Sequence, residues 1–255
     1  MEIHHHPHVE KKRFKEYLLE FIMIFLAVTL GFFAETIREG ITEHDRAKVF
    51  AASMLKDIET DSAQLSGYRN YFSYAADQLD TFMQLLKSAD PKDIPSGKLY
   101  WYGLFGAAHS NFVPNDATFQ EMKSSASLRY FKKNVASDAA RYDGLCRYLA
   151  TSEQMNQGLY IEARKCRAQF FDFKYLEEAN IIFQENRNGF RQNRIDSFLV
   201  SNPRLLSTDK ILFNQYVELC RSRFMRNYNI AGADSLLKQG HKLIGELKGE
   251  YHLEE

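Results

Sequence analysis

The polarity of the chain falls into one unbroken apolar run followed by long stretches with helical spacing. Tyr17 to Ala34, YLLEFIMIFLAVTLGFFA, holds seventeen uncharged residues and a single charge, Glu20. A helix needs about twenty mostly apolar residues to cross a bilayer, and the run to Ile37 reaches that length. Phe21 to Phe33 is apolar on every face, which does not suit a helix lying on a membrane surface. Phe32 and Phe33 stand where a cleaved secretory signal would carry small residues. A buried core helix is the other alternative, because only Phe21 to Ala34 is free of charge. Gly31 would cost a helix in water about 1 kcal/mol but is tolerated in membranes, where it allows close packing. The pattern predicts a transmembrane helix over 16–37, preceded by a short basic, histidine-containing arm over 1–15.

Beyond the run, Phe50, Met54, Ile58, Leu65, Tyr68, Phe72, Leu79, Phe82 and Leu86 recur at steps built from threes and fours, one stripe along a helix. Asp61 falls in that stripe where an apolar residue is expected; it marks a polar contact or a frayed register. No strong breaker other than Gly40 separates the stripe from the membrane segment, so a single rod from about Phe14 to Lys87 is expected. Ser88 to Gly97, with Pro91 and Pro95, reads as a turn region, and Lys98 to Ala108 as a short aromatic helix holding Trp101. A loop over Ser110 to Asp116 follows, with Asn115 or Asp116 placed to cap the next helix and Glu121 in its first turn. Long helices are expected over about 42–87, 128–180 and 209–251, with a polar connector that holds a short helix from Asn186 to Ser207 and a bend near Asn229 to Gly232. The expected fold is all-α: a transmembrane helix continuing into an antiparallel helical bundle that occupies 38–255.

Charge orients the anchor. Lys11, Lys12, Arg13 and Lys15 crowd its N-terminal side, against Arg38, Arg46 and Lys48 on the other, where Glu35, Glu39, Glu43 and Asp45 are interspersed. The bias places the arm in the cytoplasm and the large C-terminal part in the periplasm of a two-membrane bacterium. The chain has 255 residues with 33 basic and 33 acidic side chains. That zero balance argues against a general nucleic-acid binder, which needs a net basic face. Cys146, Cys166 and Cys220 form no metal-type cluster and read as small buried apolar residues.

Three segments carry a resemblance. Lys15-Glu16-Tyr17-Leu18-Leu19-Glu20-Phe21, Thr118-Phe119-Gln120-Glu121-Met122-Lys123-Ser124-Ser125 and Glu250-Tyr251-His252-Leu253 stand in an order similar to a family of single-pass membrane proteins from Bacteroidota, catalogued as a domain of unknown function. The resemblance spans nearly the whole chain, and its motifs are loose. It implies an N-terminal anchor and a helical soluble domain, and it brings no activity.

Several groups are candidates for chemistry, and each has a plainer reading. Glu20 lies within the membrane run, where a carboxylate is costly and suggests a proton or ion site; it is also within a turn of the basic arm and could pair there. His4, His5, His6 and His8 could gather a divalent metal, or form a plain tail. Arg187, Arg191 and Arg194 share a helical face and, with Arg164, Lys165, Arg167, Arg221, Arg223 and Arg226, could form an anion-facing surface. The alternative is pairing with Glu162, Glu177, Glu178, Glu185 and Glu218. No phosphate loop, His-Glu-x-x-His pattern or serine–lysine arrangement occurs, and no base is spaced to activate Cys146 or Cys166. The high Phe and Tyr content reads as bulky core packing.

The sequence therefore predicts a non-enzymatic scaffold or interaction protein of the bacterial envelope, without cofactor or metal. Its expected partners are the lipid bilayer and a second copy or another envelope protein, engaged through the anchor and the near-heptad stripe; nucleic acid is not among them. The alternative is a subunit of an ion- or proton-coupled membrane assembly or channel that uses Glu20.

Overall fold

The computed structural model describes residues 14–186, 192–222 and 225–253, which form eight α-helices and, among the described residues, no named strand. The chain divides into two compact units, Met1–Phe50 and Ala51–Glu255. One helix, α1 (Phe14–Ser88), runs through both. Its 75 residues contain no proline, and Thr29, Thr36 and Thr42 turn their hydroxyls back onto the carbonyls of Phe25, Phe32 and Arg38. These hydroxyls therefore find their acceptors within the helix itself.

The second unit is built on the other end of α1. Met54, Ile58, Leu65, Tyr68, Phe72, Leu79 and Phe82 are buried, so the stripe is the core face. α8 (Ala231–Tyr251) packs along it in the opposite direction: Arg69 pairs with Asp234 and Glu59 with Lys248. α4 (Lys133–Arg167) is also antiparallel to α8, because Asp138 holds Gln239 and Lys242 while Leu149 lies against Gly232. It follows that α1 and α4 run the same way. The crossover that this requires is residues 89–132, which carry α2 (Ser96–Leu104) and α3 (Ala117–Ser124). α2 approaches its neighbours at backbone distance. A Cβ on Gly97 would collide with the carbonyl of Phe198, and one on Gly103 would stand 2.7 Å from the Phe171 ring.

The single helix expected over 128–180 is two helices. After a 3-10 turn at Ser127–Tyr130, α4 ends at Arg167 and α5 (Phe173–Asn186) begins six residues later. Phe170 and Phe171 are both buried, and consecutive residues of a continuing helix point about 100° apart. The chain extends instead: Phe171 forms an isolated antiparallel bridge with Leu205, and the Leu206 N–H donates to the Phe170 carbonyl at 2.9 Å. Asp172 then opens α5 by accepting from the Lys174 N–H at 2.9 Å. The Tyr100 hydroxyl ties the junction down, donating to the Arg204 carbonyl and accepting from the Asp172 N–H.

The connector contains α6 (Gln192–Val200). The helix expected over 209–251 is α7 (Lys210–Ser222) and α8, joined on the α8 side by a π-helical turn at Arg226–Ile230. There the Asn229 amide is buried and donates to the Tyr68 hydroxyl at 2.5 Å. The capping expected at α3 is also different. Asp116 makes no side-chain bond to the helix N–H groups, and Glu121 lies beyond the first turn. Asn115 is drawn away by Asp61 on α1.

Candidate functional site

Glu20 is exposed on α1 within the apolar run. Among the described residues only α1 is long and apolar enough to cross a membrane. Arg187 and Arg191 lie outside the described residues, as do His4, His5, His6, His8 and Arg223. Arg194 is ion-paired with Glu185. Lys165 pairs with Glu162 at 2.8 Å, Arg221 with Glu218 at 3.8 Å, and Arg226 with both Asp77 and Asp80. No group of His, Cys, Asp and Glu among the described residues is arranged to hold a metal ion.

Asp61, the polar residue in the α1 stripe, is fully buried and makes a polar contact. Its Oδ1 accepts from the Asn115 backbone N–H at 2.9 Å and the Asn115 amide at 2.7 Å, and its Oδ2 from the Tyr142 hydroxyl at 3.0 Å. Burial and the Asp61 charge push the Tyr142 hydroxyl far above its usual range. Burial, helped by Asp61 and Asp143, pushes the Cys146 thiol up to about 12. Cys146 is therefore a thiol and no nucleophile at neutral pH. The adjoining void, about 30 Å³, is water-sized. This is a structural clasp that fixes the crossover loop to α1 and α4.

The larger feature is a cleft along α4. Glu153, Gln157, Tyr160, Arg164 and Arg167 recur at steps of four and three, so they share one face of the helix. Against that face lie the segment from Leu104 to His109, Tyr71 of α1 and the α5 helix, which together line a half-open cavity of about 330 Å³. A second cavity of about 250 Å³, lined by Glu153 and Gln157, adjoins it at His109. One wall is aromatic: Phe105 meets Phe183 edge-on at 5.0 Å, and Trp101 lies behind both.

Two cations line the main cavity. Arg167 is 9% exposed, and its Nη1 donates to the Leu104 carbonyl at 2.8 Å. One turn earlier, Arg164 lies over the Tyr160 ring at 5.6 Å and donates to its hydroxyl at 3.1 Å. His109 stacks on the same ring at 4.7 Å. Neither arginine has a carboxylate within 4.0 Å among the described residues, unlike Lys165 between them. At the far end, burial raises the Glu153 carboxyl, opposed by bonds from the Tyr68 hydroxyl and the Phe112 N–H.

The sequence grouped Arg164, Lys165 and Arg167 as one basic stretch and did not single out the cleft. The available signal was spacing: Arg164 and Arg167 lie three apart and face together, whereas Lys165 points elsewhere. The opposite wall, supplied by residues 104–113 and 173–184, carries no local signal. No family model, curated protein or solved structure matches the chain.

Proposed function

We propose that this protein is a membrane-anchored helical scaffold or interaction protein of the bacterial envelope. Its N-terminal arm lies in the cytoplasm, α1 crosses the inner membrane, and the bundle recognises its partner in the periplasm. One observation carries the reading: the apolar part of α1 is uncovered. None of its most apolar 18-residue window is buried, and Phe21, Phe25, Leu30, Phe32 and Phe33 are each more than half exposed. A contiguous apolar surface of that size in water marks an interface with lipid or another protein, and the surface surrounds the helix, as lipid requires. The excess of Lys and Arg in the arm supports the orientation, and the resemblance to single-pass Bacteroidota proteins supports the layout.

Two tests bear on this. After alkaline carbonate washing, the full chain is expected in the membrane pellet, and a chain with Ile24→Lys and Leu26→Lys together in the supernatant. Full-length protein released by carbonate contradicts the anchor. The rival class, an ion-coupled subunit, places Glu20 at the centre. Glu20→Gln is expected to leave insertion and folding unchanged and to produce no change in proton or cation flux in reconstituted vesicles. A flux present in the parent and lost with this one change supports the rival.

A further inference from the structure

The cavity between α4 and α5 is built around an unneutralised pair of guanidinium groups, and we propose that it binds a small monocarboxylate with an aromatic or apolar body. The inference does not depend on where the bundle sits or how it is anchored.

Burial of Arg167 is the first ground. A buried cation is costly unless a counter-charge meets it, and here one Nη1–H reaches a backbone carbonyl and no carboxylate of the described residues reaches the side chain. A guanidinium has five N–H donors in a planar fork, the shape that fits a carboxylate two bonds at a time. The second ground is Arg164. Like charges one turn apart on a helix repel, and Arg164 is held toward the same cavity by the Tyr160 ring and hydroxyl. An anion between the two relieves the repulsion and completes the fork.

The remaining lining limits the class of anion. Glu177, on α5, faces the same cavity. Two arginines and one glutamate leave a net single positive charge, which matches a monoanion and leaves a phosphate dianion unbalanced. Asn180 and Gln184 follow Glu177 at steps of three and four, adding amides to that wall. The apolar part of the lining comes from Phe105, Phe183 and Leu176, fit for a ring or short chain. A volume of about 330 Å³ lies at the low end of small-molecule sites.

The test uses the full chain in phosphatidylcholine nanodiscs, titrated with 3-phenylpropionate and followed by calorimetry, with empty nanodiscs subtracted. Fluorescence of Trp101, the only tryptophan, gives a second readout from behind the aromatic wall. Saturable binding of the acid is expected, with its neutral amide, 3-phenylpropanamide, about tenfold weaker or more. Arg164→Gln, at an exposed position, and Arg167→Lys, which keeps the charge but loses the fork, are each expected to weaken the acid about tenfold and leave the amide unchanged. Arg226→Gln, a surface ion pair outside the cleft, is expected to bind as the parent does. An unaltered melt shows that Arg167→Lys is folded, and Arg164→Gln carries the test alone where it is not. The proposal is overturned by no saturable acid signal, by equal binding of acid and amide, by inorganic phosphate displacing the acid at equal concentration, or by undiminished binding in Arg164→Gln.

Discussion

At the scale of single residues, Asp61 shows how far a sequence can speak. Its position in the α1 stripe was legible as an anomaly. Its partners were not, because Asn115 and Tyr142 lie 54 and 81 residues away and nothing local links them. Asp61→Ala would leave the buried Tyr142 hydroxyl and two part-buried donors of Asn115 without this acceptor, a loss of about 2 kcal/mol. Thermal melting of the full chain in detergent, followed by Trp101 emission, is expected to show a clearly lowered midpoint; an unchanged midpoint contradicts the clasp. Glu246 presents the opposite case. Its Oε2 is buried with no hydrogen-bond partner among the described residues, and burial together with the Asp138 charge raises its carboxyl above the usual range. A raised carboxyl binds its proton more tightly in the folded state, so the folded state is favoured at low pH and penalised as pH rises through the folded pKa. Neighbouring Asp138, lowered by Lys242 and Gln239, has the reverse dependence and loses its contribution as pH falls. Glu246→Gln is therefore expected to raise the melting midpoint at pH 7.5, with the gain shrinking as pH enters the carboxylate range. A gain independent of pH contradicts that origin.

At the scale of elements, periodicity located the helices and failed at their junctions. The apolar pattern through Tyr142, Leu149, Cys166 and Phe170 continues into Phe173, so spacing alone draws one helix where there are two. The break comes from tertiary pairing of Phe171 with Leu205, which overrides local preference. A local sign was nonetheless present: Arg164, Lys165 and Arg167 suit a helix C-terminus and Asp172 suits an N-cap. The glycines of α2 gave less. Gly97 reads as part of a turn, but its missing side chain is what lets α2 meet the backbone at the end of α6 and just beyond it, where the Gly97 N–H donates to the Ser201 carbonyl at 3.0 Å. Gly97→Ala forces backbone against backbone and is expected to cost about 3 kcal/mol. That loss should lower the midpoint by several degrees, and a melt matching the parent contradicts such close packing.

At the scale of the whole molecule, the all-α class and the spanning-length helix at the N-terminal end of the described residues were both legible, because each rests on composition and period over many residues. The division between units was not. Hydropathy ends near Ile37, whereas the packed unit begins at Ala51. Residues 38–50 are charged, as at a membrane edge, but α1 crosses both boundaries without a break, so the sequence shows only the first. The parallel course of α1 and α4 was equally hidden, since helix length and stripe carry no direction relative to a distant partner.

We propose that α1 holds the bundle outside the inner membrane. Lys92 tests it directly: it is exposed in the turn after α1, and its replacement leaves the Asp90 side chain that accepts from the backbone N–H of residue 92. Intact cells of a two-membrane bacterium making Lys92→Cys would be treated with a membrane-impermeant maleimide. The parent, whose Cys146, Cys166 and Cys220 are buried, serves as the blank. Labelling of Lys92→Cys without lysis, with the protein in the membrane fraction, is the predicted result. Labelling only after lysis would put the bundle in the cytoplasm and contradict the orientation read from Lys11, Lys12, Arg13 and Lys15.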